Sequence, residues 1–351
     1  MARPERLITL AQSLLGRREV RSITAEGLSS GSTWRVDLCS GESLLMKRYD
    51  RTSALRAELA GLAIAGRVKD LRTPVPVGVF DNERIVLFQR LRGRSLSDVL
   101  GSCDPATAKS AATRIGTLLR RVHETPEDQS RALPDQLLEE LMSSELEQLM
   151  THVFIEELHE KLFEFRGEGW WRDIKFGLES PEGFGELVGR VVDSVERHQA
   201  WPEERRFVHG DLWSGNILLA RDRGRCSIAF IDFESCMRSS TIVDVARVFS
   251  RGLTPRAPHI PYRLSPEKSL WESFLSGYGK GEHEVMGDGV LGTAVTYATV
   301  RTINHYFRLS CAPRAKRAER AFRVGAVLRI ARALNSFLRC ESEGKGVWGG
   351  N

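Results

Sequence analysis

Three short apolar runs that close on the same few polar residues restrict this chain more than anything else in it. Phe207-Val208 leads into His209-Gly210-Asp211, Ile217-Leu218-Leu219 follows Asn216, and Ser227 to Ile231 runs straight into Asp232-Phe233-Glu234. Apolar runs of this length, bounded by Gly and charged turns, are the pattern of buried strands. Asp211, Asn216 and Asp232 are thereby placed at strand ends, where a rigid scaffold holds side chains still. Asp211 and Asn216 lie five positions apart across a Gly-containing loop, and a hairpin returns Asp232 beside them.

That spacing suits phosphoryl transfer. In kinases a loop Asp accepts the proton of the acceptor hydroxyl, while an Asn five residues on and an Asp on the next hairpin hold magnesium against the nucleotide phosphates. Magnesium prefers a few oxygen ligands of this kind. An Asp and an Asn in a Gly loop are by themselves an ordinary turn; the whole string His-Gly-Asp-x-x-x-x-Asn followed by Ile-Asp-Phe-Glu is far more specific. His209-Gly210-Asp211-Leu212 with Asn216 resembles the catalytic loop of the aminoglycoside phosphotransferase and choline kinase superfamily, whose members have a protein-kinase-like fold. The longer string His209 to Asn216 is similar to fructosamine kinases, whereas Ile231-Asp232-Phe233-Glu234 is closer to choline kinase-like members, which leaves the subfamily open. The resemblance implies ATP and Mg²⁺ as cofactors, Asp211 as the catalytic residue, and Asn216 and Asp232 as the metal ligands.

The region before the hinge carries what such a reading needs. Gly27 to Thr33 is a small-residue turn between two candidate strands, and Ser30, Gly31 and Ser32 could bring backbone N–H groups close to phosphates. The same turn could equally be a plain hairpin. Lys47 sits in the third strand, within Ser43 to Tyr49, and residues 53 to 66 read as a helix bearing Glu58 among Leu55, Leu59 and Leu62. In the kinase arrangement a strand lysine contacts the nucleotide phosphates and pairs with a helix glutamate. Arg48 competes with Lys47, because a strand alternates faces and only one of the two points inward. A strand opened by Thr73-Pro74-Val75-Pro76 reads as an edge, and Arg84 to Phe88 as the next. Gln89 to Arg94 resembles the family's hinge, which implies that backbone groups near Gln89 and Leu91 hold the adenine edge.

The remainder reads as mostly helical: 96 to 100, Ala106 to His123, Leu137 to Phe163, Leu270 to Tyr278, Val290 to Leu309 and Ala315 to Leu338. His123 reads as a packed structural residue, and Asp244 as a helix cap that steadies the catalytic loop. Residues 131 to 200 hold 7 Lys/Arg against 16 Asp/Glu. They lie where the family's insertion shapes the acceptor pocket. Their charge could attract a cationic acceptor or belong to a solvated helical face. Residues 241 to 351 hold 17 Lys/Arg against 9 Asp/Glu. Arg314, Lys316, Arg317, Arg320 and Arg323 read as a solvated helix face, since no nucleic-acid motif accompanies them. The six cysteines are scattered without a Cys-x-x-Cys pair, as in reduced, cytoplasmic proteins. No apolar run approaches the roughly 20 residues that span a bilayer, and 7 to 15 is too short and polar for a secretory signal.

At 351 residues the chain is comfortable for two lobes. The expectation is an α+β, two-lobed, protein-kinase-like fold. Its small antiparallel-sheet N-lobe takes residues 1–91 and its larger, mainly helical C-lobe residues 92–351, with the acceptor-site insertion over 131–200. The expected function is transfer of the γ-phosphoryl group of ATP to a hydroxyl of a small molecule: an amino sugar, an aminoglycoside-like compound, an amino alcohol or a ketosamine. Two other readings stand beside it. One is a protein Ser/Thr kinase, weakened because the next apolar stretch follows Asp232 too soon for an activation segment. The other is a nucleotide-binding pseudokinase scaffold. The oligomeric state is left open.

Overall fold

The computed structural model describes residues 9, 11–13, 15, 20–25, 33–126, 133–151, 181–197, 204–222, 225–253, 266–279, 290–311 and 317–342. Its first part is a five-stranded antiparallel sheet in the order β1-β2-β3-β6-β5, built from β1 (Val20–Ala25), β2 (Thr33–Leu38), β3 (Ser43–Arg48), β5 (Pro76–Phe80) and β6 (Ile85–Gln89). The Ser40-Gly41 turn closes the β2–β3 hairpin, and the pairing Val36↔Leu44 sets its register. Because side chains alternate along a strand, this register sends Trp34, Val36, Leu44, Met46, Ile85 and Leu87 to one face, where they bury Ala11. It sends Leu45, Lys47, Val86 and Phe88 to the other. The opposing candidates Lys47 and Arg48 are thus separated, and Lys47 faces inward. The Pro-bearing strand β5 is an edge, opposite β1.

Helix α1 (Thr52–Ala65) lies on the inner face, burying Leu55, Glu58, Gly61, Leu62 and Ile64. A Cβ on Gly61 would stand 2.8 Å from Phe233 Cβ and 2.9 Å from the Cys236 sulfur. Glycine is therefore what lets α1 approach the Asp232–Cys236 turn closely enough to bring Glu58 to Lys47. The Cys236 thiol also donates to the Ala57 carbonyl at 3.0 Å.

A second sheet runs β4-β10-β9-β7, from β4 (Leu71–Arg72), β7 (Arg94–Ser95), β9 (Ile217–Asp222) and β10 (Arg225–Phe230), with β8 (Arg206–Val208) pairing β11 (Met237–Ser239) separately. β4 precedes the hinge in sequence, yet it pairs in parallel with β10, so the first 91 residues are not all spent on the first sheet. Two-residue strands such as β4 and β7 show no periodicity and went unread in the sequence. The helices are α2 (Leu96–Leu100), α3 (Pro105–His123), α4 (Leu138–Thr151), α5 (Pro181–Arg197), α6 (Ile242–Arg247), α7 (Lys268–Tyr278), α8 (Val290–Cys311) and α9 (Arg317–Ser342). Ser95 caps α2 by accepting from the Asp98 amide, and Asp104 caps α3 by accepting from the Thr107 amide ahead of Pro105 at the first turn. α6 runs on into one π-helical turn, Val248–Gly252, a form that concentrates at functional sites. One continuous apolar core joins α1, α3, the β9–β10 hairpin and the C-terminal helices.

Of the segment 137–163, helix is described over Leu138–Thr151; the rest of it and the turn Ser30-Gly31-Ser32 lie outside the described residues. Arg314 and Lys316, and the side chains of Arg317 and Arg320, lie outside them as well. Arg323 does not sit on a solvated face: it is buried and donates to the Leu309 carbonyl at 2.6 Å. No described helix is long and apolar enough to cross a membrane.

Candidate active site

The inner face of β3 delivers the Lys47 ammonium into a ring of carboxylates. It lies 3.1 Å from Glu58 Oε2 and 3.0 Å from Glu234 Oε2, it also contacts Asp232 Oδ1, and it sits over the Tyr49 ring. Burial works against the charge of Lys47. The carboxylates of Asp232 and Glu58 outweigh it, so its pKa is held well above the usual lysine value. One ammonium cannot neutralise three carboxylates, and the excess shows on the acids. Burial, aided by the like charge of Asp232, raises both Glu58 and Glu234. One oxygen from each of Glu58, Asp232 and Glu234 lies within 4.8 Å of the others. With all three ionised beside one ammonium, a residual charge of about −2 remains, which a divalent cation with oxygen preference would offset. By donor type and by charge, the residues present fit magnesium.

The loop that bears Asp211 is fixed from several sides. Asp232 holds a left-handed backbone (φ 70°) at the end of β10, a conformation found at strained functional positions. Ile231 N–H donates to the Asn216 carbonyl at 3.0 Å, which places Asn216 beside Asp232. The Asn216 carboxamide in turn donates to the Asp211 carbonyl at 2.9 Å. Gly210 adopts φ +76°, and a Cβ there would stand 2.2 Å from the Ser235 carbonyl oxygen, so only glycine can carry the chain into Asp211. Phe233 lies 4.4 Å from the His209 ring, between centroids, linking the metal-side turn to the loop. Asp211 itself is 30 % exposed, and its Oδ1 lies 3.1 Å from the guanidinium of Arg247. Arg247 also donates to the Ala298 carbonyl and Thr302 hydroxyl. Burial depresses the pKa of Arg247, and Asp211 opposes that shift.

Behind the loop stands Asp244. It does not cap α6 with its side chain; no such bond forms at that helix start. The carboxylate turns back instead, accepting from the amides of His209 (2.7 Å) and Gly210 (2.8 Å) and from His123 Nε2 (3.0 Å). His123 Nδ1 meets the Tyr278 hydroxyl at 2.8 Å. The first-turn position of Asp244 suggested a cap, while the real donors are brought by the fold from the end of α3 and the turn after β8. Burial alone would raise the Asp244 pKa; the hydrogen bond and charge of His123 outweigh it and keep the pKa below the usual carboxylate value.

Residues 23–283 match the family model described as the phosphotransferase enzyme family. The chain belongs to that family. Solved structures share the protein-kinase-like fold. The GDP and kanamycin complex of APH(2")-IIia is 14% identical, covers 93% of this chain and 98% of its own, and superposes with a TM-score of 0.63. A spectinomycin phosphotransferase, APH(9)-Ia, in complex with ADP and spectinomycin gives 16% identity, 94% and 98% coverage and a TM-score of 0.59. The macrolide 2'-phosphotransferase MphH from Brachybacterium faecium gives 13%, 92% and 98%, and 0.55. No curated protein matches the chain.

Within this phosphotransferase the structure gathers Lys47, Glu58, Asp232, Asn216 and Asp211 along one edge of the β9–β10 hairpin. Gln89 ends β6, and Leu91 follows two residues later. The Gln89 amide is already given to the Val75 carbonyl at 2.9 Å. Sequence reasoning missed Glu234, which a strand-end position two after Asp232 could have flagged. It also missed Arg247 and Arg301, because a buried arginine reads as surface charge until its partner is known. Arg301 donates to the Gly210 carbonyl at 2.7 Å and to the Ser235 hydroxyl at 3.0 Å.

Proposed function

We propose that this phosphotransferase moves the γ-phosphoryl group of ATP to a hydroxyl of a small molecule. The observation that carries the proposal is the convergence of Asp211, Asn216, Asp232 and the Lys47–Glu58 pair on one site. Lys47, oriented by Glu58, binds the nucleotide phosphates, and Leu91 N–H with the Gln89 carbonyl meets the adenine edge. Ser30, Gly31 and Ser32 keep their expected part in binding the phosphates. Asn216 and Asp232 would hold Mg²⁺, with Glu234 completing the oxygen set. The ion supplies neutralisation of charge on the phosphate oxygens. Asp211 orients the acceptor hydroxyl and takes its proton. A bond forms from the hydroxyl oxygen to the γ-phosphorus as the bond to the β,γ-bridging oxygen breaks, and ADP leaves with that electron pair. Arg247 keeps the Asp211 carboxylate aimed. Most of the rate gain comes from positioning and charge neutralisation, because little covalent chemistry falls to the protein.

The test is ADP release from ATP and Mg²⁺ over a panel of amino sugars, aminoglycosides, amino alcohols, ketosamines, sugars and hydroxy acids. Turnover with a small acceptor supports the proposal. Phosphorylation of protein substrates with none of the small acceptors would replace it by the protein-kinase reading. Nucleotide binding without turnover of any acceptor would favour the scaffold.

The residual negative charge makes a further expectation. Mg²⁺ at about a hundred times its dissociation constant should stabilise the folded protein by about 2.7 kcal/mol, read as a rise in Tm. Asp232→Asn and Glu234→Gln should each shrink that rise. A full-sized rise in both variants would remove Asp232 and Glu234 from the metal site.

A further inference from the structure

The peptide unit between Gly210 and Asp211 is held at both of its polar edges. Its carbonyl accepts from Arg301 Nη1 at 2.7 Å, and its N–H donates to His209 Nδ1 at 3.3 Å. Each of those side chains has a second hold across the site. With Nδ1 accepting, His209 carries its proton on Nε2, which donates to the Ile231 carbonyl at 3.0 Å. Arg301 Nη2 donates to the Ser235 hydroxyl at 3.0 Å. Ile231 and Ser235 immediately flank the stretch Asp232-Phe233-Glu234. The peptide plane that leads into Asp211 is therefore tied to both ends of the turn that carries Asp232 and Glu234. Because that plane is rigid, fixing it fixes the N–Cα bond of Asp211, the base from which its side chain projects.

Helix α8 reaches the side chain of Asp211 as well as its backbone. Ala298, Arg301 and Thr302 stand at i, i+3 and i+4 and so share one helix face. The Ala298 carbonyl and Thr302 hydroxyl accept from Arg247 at 2.7 and 2.8 Å, and the Arg247 guanidinium lies 3.1 Å from Asp211 Oδ1. One turn of α8 thus sets the peptide before Asp211 directly and its carboxylate through Arg247. The direct tie uses the shape of the guanidinium. Its two acceptors are met by two different nitrogens of one planar group, whereas a lysine presents all its donors from a single atom on a flexible stem. Loop and turn already touch where Arg301 spans them: a Cβ on Gly210 would stand 2.2 Å from the Ser235 carbonyl oxygen.

We propose that Arg301 is a positioning residue for phosphoryl transfer: it holds Asp211 in register with the Asp232–Glu234 turn, so that the acceptor hydroxyl and the γ-phosphoryl group meet in line. It acts through the Gly210 carbonyl and the Ser235 hydroxyl. Misplacing a reacting group by about 1 Å costs about a hundredfold in rate, so a clamp of this kind is felt in kcat before it is felt in nucleotide binding. The inference rests on the phosphotransferase reading of Asp211 and adds a residue to its machinery.

The test follows ADP release from ATP and Mg²⁺, with the best acceptor of the panel above and with water alone. Arg301→Lys should lower kcat at least about tenfold while KM for ATP stays within about twofold, the pattern of a contact that counts only in the transition state. Ser235→Ala leaves Arg301 in place and cuts half of the tie, so it should lower kcat about threefold. In the Arg301→Lys background the same change should add less than about twofold, because the tie is already cut. In Arg301→Ala, methylguanidinium should recover kcat and methylammonium should not. Hydrogen exchange reads the tie without turnover: segments 209–213 and 232–236 should both exchange faster in Arg301→Lys. A kcat within about twofold of wild type in Arg301→Lys, fully multiplicative losses for the Ser235 pair, or a kcat that falls only together with ATP affinity and Tm overturns the inference. Wild-type protein that binds ATP but releases no ADP to any acceptor or to water would instead be failure of the reading on which it rests.

Discussion

Asp211→Asn should lower kcat by about a thousandfold and leave the affinity for ATP within about twofold. General-base assistance is worth roughly a hundred to ten thousandfold, and a thousandfold corresponds to about 4 kcal/mol of barrier. Nothing near Lys47 or the hinge changes, so nucleotide binding has no reason to follow. The choice of Asn matters because of Arg247. That guanidinium is 3 % exposed and lies 3.1 Å from Asp211 Oδ1. Asp211→Ala would strip it of its carboxylate. Breaking a buried ion pair costs about 3–5 kcal/mol. Asp211 is 30 % exposed and Arg247 keeps its bonds to Ala298 and Thr302, so about 1–2 kcal/mol is the better expectation after solvent screening. Asn keeps an acceptor oxygen for Arg247 and so isolates the chemistry from the fold. The expected pattern is therefore equal loss of kcat in both variants, with Tm lowered by a few degrees in Ala alone. An Asn variant retaining more than about a tenth of the activity would show that another group takes the proton.

The contrast between Asp211 and Arg247 also shows what a single sequence can disclose. The strands around Asp211, Asn216 and Asp232 were legible because Gly and charged turns punctuate short apolar runs. Lys47 was legible because alternation along β3 leaves it or Arg48, and the register Lys47↔Val86 decides between them. Glu58 followed from its place among the buried leucines of α1. What stayed hidden needs contacts between distant segments. Arg301 lies 91 positions from Gly210, whose carbonyl it holds, and a helical arginine carries no mark of such a partner. Arg323 was read as solvated for the same reason. Asp244 was assigned to the loop correctly in effect but through the wrong bond, because its position in the first turn of α6 looks like a cap while its three donors come from residues 123, 209 and 210. The acidic segment 131–200 was weighed by net charge alone, and net charge does not say which acids face Asp211.

Asp244→Ala should be the most destabilising single change near the site, by about 3–5 kcal/mol, and should abolish transfer although Asp244 touches no reacting atom. Its carboxylate is fully buried and gathers three donors on two oxygens. Oδ2 takes the His209 amide and His123 Nε2, and Oδ1 takes the Gly210 amide. Truncation orphans two backbone N–H groups at the turn where Gly210 already holds φ +76°, and that turn aims Asp211. Asp244→Asn is not a mild alternative here. A carboxamide replaces one acceptor oxygen by an NH₂ donor, which must then face either the Gly210 amide or the His209 and His123 donors. It should recover little of the lost stability. The pH dependence follows from the depressed pKa of Asp244. In the unfolded chain the group titrates near the usual value of about 3.9, and in the folded protein below it. The unfolded state therefore binds the proton first as pH falls. The stabilisation by Asp244 is complete above the unfolded value and is lost as pH drops through the folded one. Wild-type protein should lose stability over that acid range, and Asp244→Ala should show a shallower acid limb from a lower plateau. Denaturant titrations at several pH values measure both. An Asn variant within about 1 kcal/mol of wild type, with its acid limb intact, would mean that the loop is held by Arg301 and Asn216 and not by this carboxylate.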